Sequence, residues 1–319
     1  MKIIKTGSLP VIKKTQGEVK DMYSMEGIIG MSNEELKHDD SLTSTLSALL
    51  MGMPTVGKTV MLGTSTLPLL IYSFDPKSTV VLWTHYPKLM KERWIVVKPF
   101  WDEGGNRNPK AYMEWEKTYE NHRDTGFLER FATVSIDSYT GWILTAGNYW
   151  LHEKNKERSM KERGKLLDHL AQGDYPGLYD LSSTMVYELN SGSWHFLVTC
   201  HLRIVRNEET GVDERTELQV YKALKTEIPR LFSEKYVLTK KQVGPGEVKY
   251  ILLTDVQGLY HIVGSQLRKK HGKNIKVEEE PNFRSLFRKA EKSYEDKPHW
   301  KTGKKLNADL LPDDLKEYI

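Results

Sequence analysis

Cysteine is all but missing from this chain. A single one, Cys200, stands among 319 residues, which excludes an intrachain disulfide and a cysteine zinc site. A reducing compartment fits that usage. Also missing is any run of about 18 apolar residues, the length a membrane-spanning helix needs. The opening stretch MKIIKTGSLPVIKKTQGEVK has no continuous apolar core and no small-residue cleavage site, so a secretory signal is not expected. A soluble, cytoplasmic protein without a membrane partner is the expectation. Internal repeats and low-complexity tracts are absent. Neither sign of charge dominates: 47 basic residues face 43 acidic ones, a net of +4. Residues 264–319 carry 14 basic and 10 acidic residues, so the whole excess lies there. That leaves room for an acidic partner of the C-terminal segment.

What is present is enough apolar content, 39%, for one α/β domain with a core. Residues 1–42 are polar and weakly periodic and read as an N-terminal arm, residues 43–264 as the core, and 265–319 as an extended charged tail. In the core, short apolar runs alternate with helix-compatible stretches. Strands are expected at Ala48–Met51, Leu69–Phe74, Thr79–Trp83, Trp94–Val97, Phe131–Ile136 and Trp194–Cys200. Further strands at Lys235–Leu238, Val248–Leu253 and Leu259–Val263 would give a strand-rich close. Helices are expected after residue 57, over 110–123, from Tyr139 to about Leu170 with a break near Gly164, over 179–190 and around 282–292. This pattern predicts a mostly parallel central sheet with helices on both faces and an antiparallel margin.

The segment Gly52-Met53-Pro54-Thr55-Val56-Gly57-Lys58-Thr59-Val60 follows the first apolar run and opens a helix. Free backbone N–H groups at a helix start stabilise phosphate, and glycines at 52 and 57 let the backbone approach it closely. Lys58 would reach β/γ-phosphates, and the Thr59 hydroxyl would ligate Mg²⁺. A glycine turn without function is the competing reading. Asp137 ends an apolar run, Val134-Ser135-Ile136, where a carboxylate would hold the hydration shell of the same Mg²⁺; helix capping would place an Asp there too. Asp75 follows another strand and would orient or deprotonate a water, although Asp75-Pro76 is also an ordinary turn pair. His201 closes Phe196-Leu197-Val198-Thr199-Cys200 in a Thr-x-His pattern, suited to sensing a phosphate or water; a packed histidine is the plainer alternative. Cys200 reads as a small buried residue.

The order GMPTVGKT, FATVSIDS, HFLVTCH and KALKTEIPRLFSEKYVL resembles the RecA-like P-loop ATPases of phages and prophage relatives, a group that includes phage single-strand annealing recombinases with a RecA-type core. The resemblance covers about Leu46 to Val263. It implies a RecA-like P-loop core that binds ATP and Mg²⁺, hydrolyses ATP, assembles as a homo-oligomer and acts on DNA, single strands above all, in recombination or replication. If the chain is phage-encoded, its compartment is the host cytoplasm. By position, Lys58 and Thr59 would be the Walker A pair, Asp137 the Walker B carboxylate, His201 the sensor and Asp75 the acid after the second strand. The polar loop Arg203–Glu217, with Arg203 and Arg206, would face DNA. Lys222, Lys225 and Arg230 would lie where a cation enters a neighbour's ATP site. That loop is about as acidic as it is basic, which weakens direct phosphate binding.

Arg268, Lys269, Lys270 and Lys273 lie in a basic run without acids, and Arg284, Arg288 and Lys289 are interleaved with Phe283, Phe287 and Trp300, a composition that suits single strands. A solvated surface run is the rival reading. The acidic, leucine-bearing end from Leu306 onward would dock a partner protein, another subunit or its own core. Two other functions remain open: a nucleotide-switched interaction module of the helicase-loader kind with little turnover, and a small-molecule kinase, for which no Arg-rich lid is evident. The tryptophans, Trp83 included, read as core filler.

Overall fold

Alternate residues of the central strands face opposite sides, and in this chain both sides are apolar. In the computed structural model, which describes residues 45–103, 109–161, 169–267 and 275–317, β1 (Ser47–Gly52) sends Leu49 and Met51 to one core and Ala48 and Leu50 to the other. The same division holds for β2 (Leu69–Ser73), β5 (His195–Arg206) and β7 (Glu234–Gly244), whereas β4 (Thr133–Asp137) sends Val134 and Ile136 to the first core and buries the polar Thr133 and Ser135 on its other face, as expected for parallel strands covered on both faces.

One face is covered by α4 (Ala111–Asp124), α5 (Tyr139–Lys161), α6 (Tyr175–Asn190) and α7 (Leu224–Arg230). The other carries α1 (Lys58–Leu62), α2 (Thr79–His85), α3 (Pro87–Lys91), α8 (Phe283–Lys289) and α9 (Asp313–Lys316). With β3 (Ile95–Pro99), β8 (Glu247–Leu253) and β10 (Glu278–Glu279), the strand order is β10-β8-β7-β1-β5-β4-β2-β3. The strands from β7 to β3 run parallel, and β8 and β10 add the antiparallel margin. Two short elements stand off this path: β6 (Asp213–Leu218) pairs with β5, and β9 (Gly264–Ser265) with β7. The fold is therefore α/β with a mostly parallel central sheet, helices on both faces and an antiparallel C-terminal margin. Among the described residues no helix is long and apolar enough to cross a membrane.

Several local expectations give way. Thr79–Trp83 is the helix α2, not a strand: Leu82, Tyr86 and Leu89 are the buried positions, a helical spacing, while Val80 and Trp83 are 60% and 51% exposed. Trp83 is thus no core filler. Residues 259–263 form no strand, because the Leu259 carbonyl accepts from Thr216 N and Oγ1 and ties that stretch to β6. By contrast, the polar stretch 206–215, open to reading as an exposed loop or a hairpin, is a hairpin: β5 continues to Arg206, and Asn207 Oδ1 accepts from the Glu209 and Thr210 amides to make the turn.

The described part of residues 265–319 packs on the sheet and is not extended. Ile275, Phe283, Leu286, Phe287, Leu311 and Leu315 are all buried in the second core. Arg284, 1% exposed, makes a two-point pair with Asp296, at 2.5 and 3.0 Å. Lys289 binds Glu279 at 2.5 Å. The cation–aromatic alternation there is consequently a packed helix, not a surface for single strands. The N-terminal arm 1–42, the helix break near Gly164, and Arg268, Lys269, Lys270 and Lys273 lie outside the described residues.

Candidate functional site at the ends of the parallel strands

The chain passes from β1 to β2 across a gap of two strands, which β5 and β4 fill. Such a reversal opens a crevice at the carboxyl ends of the strands. Register brings the candidate residues to that edge: Gly52 stands opposite His201, and Ser73 opposite Asp137.

The loop from Gly52 to Gly57 turns back on itself between β1 and α1. Gly57 adopts φ +96° and Thr55 φ +64°, both left-handed. A Cβ on Gly52 would stand 2.6 Å from the Leu238 carbonyl oxygen and 2.8 Å from Val56 Cγ2, so only glycine fits. Helix α1 is five residues long, which makes its dipole small. Any anion bound here would therefore rest mainly on the loop amides and Lys58. Lys58 Nζ donates to the Gly52 and Met53 carbonyls, each at 2.9 Å, and lies 3.3 Å from His201 Nδ1. Burial pulls its pKa down, against the upward pull of Asp137, Cys200 and Asp75.

Asp137 is 1% exposed and accepts two hydroxyls, Thr59 Oγ1 at 2.8 Å and Thr199 Oγ1 at 2.6 Å. Burial raises its pKa, and the nearby Asp75 adds to that rise; the two hydroxyls and Lys58 counteract without prevailing. The Thr59–Asp137 pair fits Mg²⁺, a hard cation that prefers one or two carboxylates plus phosphates and water. The glycine cradle fits a pyrophosphate. The residues thus suit a Mg²⁺–nucleotide complex.

Asp75 faces the same crevice. Its Oδ2 lies 3.0 Å from His201 Nε2, and its Oδ1 accepts from Ser138 Oγ at 2.9 Å. With Lys58 at Nδ1 and a carboxylate at Nε2, the contacts assign an acceptor role to Nδ1 and a donor role to Nε2. Burial pushes Asp75 upward, but His201, Ser138 and Lys58 together hold it below the usual carboxylate value. Gly141 permits this approach, because a Cβ there would stand 2.9 Å from Asp75 Oδ1.

Lys58, Thr59, Asp137, Asp75 and His201 are therefore brought together. Pro54, Thr55, Val56 and Val60 lie on or next to the loop. Sequence reasoning missed Ser138 and Thr140, which donate to Asp75 and accept from the His201 amide at 3.1 Å, and gave Thr199 no role at Asp137. For Thr199 a signal existed: two residues before His201 on one strand, it shares that residue's face. Cys200 is buried and its thiol is pushed up to about 11 by burial, in keeping with a packing role.

Other candidates stand apart from this cluster. Arg203 pairs with Glu217 at 3.4 Å and Arg206 with Asp213 at 2.6 Å, both across the β5–β6 hairpin. Lys225 binds Glu217 at 2.5 Å, Arg230 binds Glu227 at 2.9 Å, and Lys222 is exposed.

No family model and no curated protein matches this chain. Among solved structures it is similar to a prototypical ATPase from the type III secretion system of pathogenic bacteria, with 15% identity over 61% of this chain and 51% of that one, at a TM-score of 0.40. It is also similar to the assembled ATPase EscN, in complex with its central stalk EscO, from the type III secretion system of enteropathogenic E. coli. There the identity is 14%, over 61% of this chain and 42% of that one, at a TM-score of 0.34. The chain spans about half the length, or less, of these structures.

Proposed function

We propose that this chain is a Mg²⁺-dependent ATPase with a RecA-like P-loop core, which binds ATP on the Gly52–Val60 loop and hydrolyses its β,γ-phosphoanhydride. The observation that supports this most is the convergence of Lys58, the Thr59–Asp137 pair and the Asp75–His201 pair on one sheet edge. Bound Mg²⁺ would neutralise charge on the β and γ oxygens. Thr59 and Asp137 are the residues that would hold it. Lys58 exchanges its two carbonyl acceptors for phosphate oxygens. Asp75, kept ionised by its neighbours, orients the attacking water and takes its proton as the water oxygen bonds the γ-phosphorus and the bond to the bridging oxygen breaks, releasing ADP and phosphate. His201 is a positioning residue that links Lys58 to Asp75.

In a homo-oligomer a neighbouring copy would add a cation. Arg230 suits that role among the three candidates, because its exposed pair with Glu227 is worth only about 0.5 kcal/mol and exchanges easily. The single-stranded DNA setting implied by the resemblance draws little support from the hairpin. Residues 203–217 carry three basic and five acidic side chains, and both arginines assigned to DNA are paired within it.

One observation favours the switch reading. His201 lies on β5 two residues before Arg203, where that strand leaves the sheet for the exposed hairpin. Nucleotide state sensed at His201 would reach a partner through this element.

The test is phosphate release from ATP by the full chain and by Lys58→Ala, with and without single-stranded DNA. Release that the substitution abolishes is the expected result, and stimulation by DNA would add the recombinase-type setting. Lys58-dependent release indifferent to DNA keeps the ATPase and favours a protein partner. Release that survives Lys58→Ala overturns the proposal.

A further inference from the structure

The phosphate loop forms one wall of a cavity of about 450 Å³ that none of the chemistry above occupies. Gly57 and Val60 line it from the loop and α1, Leu238 and Tyr250 from β7 and β8, and Pro312 and Asp314 from the start of α9. We propose that this cavity receives the base and ribose of the nucleotide, and that the exocyclic amine of a purine donates there to Asp314. The inference rests on the ATP reading above and extends it to the recognition of the base.

Three properties of the site carry it. It adjoins the glycine loop, since Thr55, Val56 and Gly57 form part of its wall and Val60 follows Thr59 on α1. Its size falls in the range of about 300–1,000 Å³ typical of small-molecule sites. Its lining is mainly apolar and aromatic, with a carboxylate at the rim. Such walls hold a flat base, and a carboxylate accepts hydrogen bonds only, so it selects for a donor. Tyr250 is 43% exposed despite its size, and Lys240 Nζ lies 5.4 Å from its ring centroid, which steadies the ring on its hairpin.

A neighbouring cavity of about 470 Å³ shares Tyr250 and Asp314 but includes no residue of the glycine loop, and one of about 730 Å³ does not compete either. The latter lies against β3, which β5, β4 and β2 separate from β1. Four strand spacings of about 4.8 Å put it about 19 Å from the loop, too far for a base tethered there through ribose and phosphates.

One consequence concerns the C-terminal segment. Pro312 and Asp314 would touch the base while the loop holds the phosphates, so ATP would tie α9 to α1. The segment thus becomes part of the nucleotide site.

The test compares Mg²⁺ complexes of ATP, ITP and inorganic tripolyphosphate by calorimetry on the full chain. The variants are Lys58→Ala, Tyr250→Ala and Asp314→Ala, the last two being exposed side chains whose loss leaves the core intact. Tripolyphosphate should bind the wild type and bind Tyr250→Ala and Asp314→Ala equally well, yet be lost with Lys58→Ala. ATP should weaken about tenfold in Tyr250→Ala. In Asp314→Ala it should also weaken about tenfold, and the preference for ATP over ITP, which lacks the amine, should vanish. ATP affinity unchanged in both variants, with tripolyphosphate still bound through Lys58, overturns the base site and leaves the ATPase reading standing. Tripolyphosphate that fails to bind the wild type overturns both.

Discussion

Replacing Asp137 with asparagine separates the chemistry of the site from its packing. The carboxylate is 1% exposed and accepts hydroxyls from Thr59 and Thr199. An amide of the same shape keeps one acceptor oxygen, and its NH₂ donates to the other hydroxyl, which can rotate to accept. Packing is thus retained while the charge is lost. Burial raises the folded-state pKa of Asp137 above its unfolded value. Between those two values the folded state keeps a proton that the unfolded chain has released, so stability falls as pH rises through that window. Above the folded value the penalty of the buried charge is complete. The neutral amide carries no such penalty. The stability of Asp137→Asn at neutral pH should therefore equal that of the wild type or exceed it by up to about 1 kcal/mol, part of the gain being offset by the lost attraction to Lys58. Hydrolysis of Mg²⁺–ATP should fall about 10²–10³-fold, because a carboxylate that helps fix the metal is gone. Urea unfolding followed by tryptophan fluorescence gives the first quantity and phosphate release the second. Turnover within about threefold of wild type would refute the metal-holding role. So would a stability loss near 3 kcal/mol, which would make Asp137 a structural clamp between α1 and β5.

Gly52→Ala should cost about 1–3 kcal/mol and abolish ATP binding, because its Cβ meets the rigid β7 backbone at Leu238 O, 2.6 Å away; melting temperature and ATP titration check this. His201→Ala removes a hydrogen bond that holds Asp75 below the usual carboxylate value. A carboxylate depressed in the folded state contributes stability above its unfolded pKa and loses it as pH falls through the folded one. In this variant the acid limb of kcat/KM should move to higher pH, whereas a merely structural His201 would lower activity without moving it. Arg284→Ala leaves a half-buried Asp296 with the Leu67 amide but without its cation and should cost about 2–4 kcal/mol in urea unfolding, with unchanged turnover per folded molecule.

Legibility of the site followed the range of the physics involved. The strand–glycine loop–helix element was readable because its determinants are contiguous: two glycines, a lysine and a threonine stand within eight residues of chain. Asp137 was readable as an acid ending an apolar strand. The Asp75–His201 contact was not, because 126 residues separate the two, and they meet only where β5 inserts between β1 and β4. Ser138, Thr140 and Thr199 act through single hydroxyls, whose partners depend on strand register. Helix α2 was misread because Val80 and Val81 favour strands, while the helical spacing of Leu82, Tyr86 and Leu89 extends past the run that suggested one.

The cations show most clearly how one local assignment decides a function. Read as a loop, residues 203–217 offer Arg203 and Arg206 to a phosphate backbone. As a hairpin, the register sets Arg203 opposite Glu217 and Arg206 opposite Asp213, and each arginine has its partner before any ligand arrives. Opposite charges across a strand pair contribute roughly 0.2–1 kcal/mol, enough to bias the side chains and too little to forbid exchange. DNA binding by this hairpin would have to displace those pairs and bring phosphates toward five acids. The same reasoning applies at Arg284, whose basic and aromatic surroundings suggest single-strand binding until Phe283 and Phe287 are placed four apart on a buried helix face. Composition counts the charges, but pairing decides which of them a partner can use.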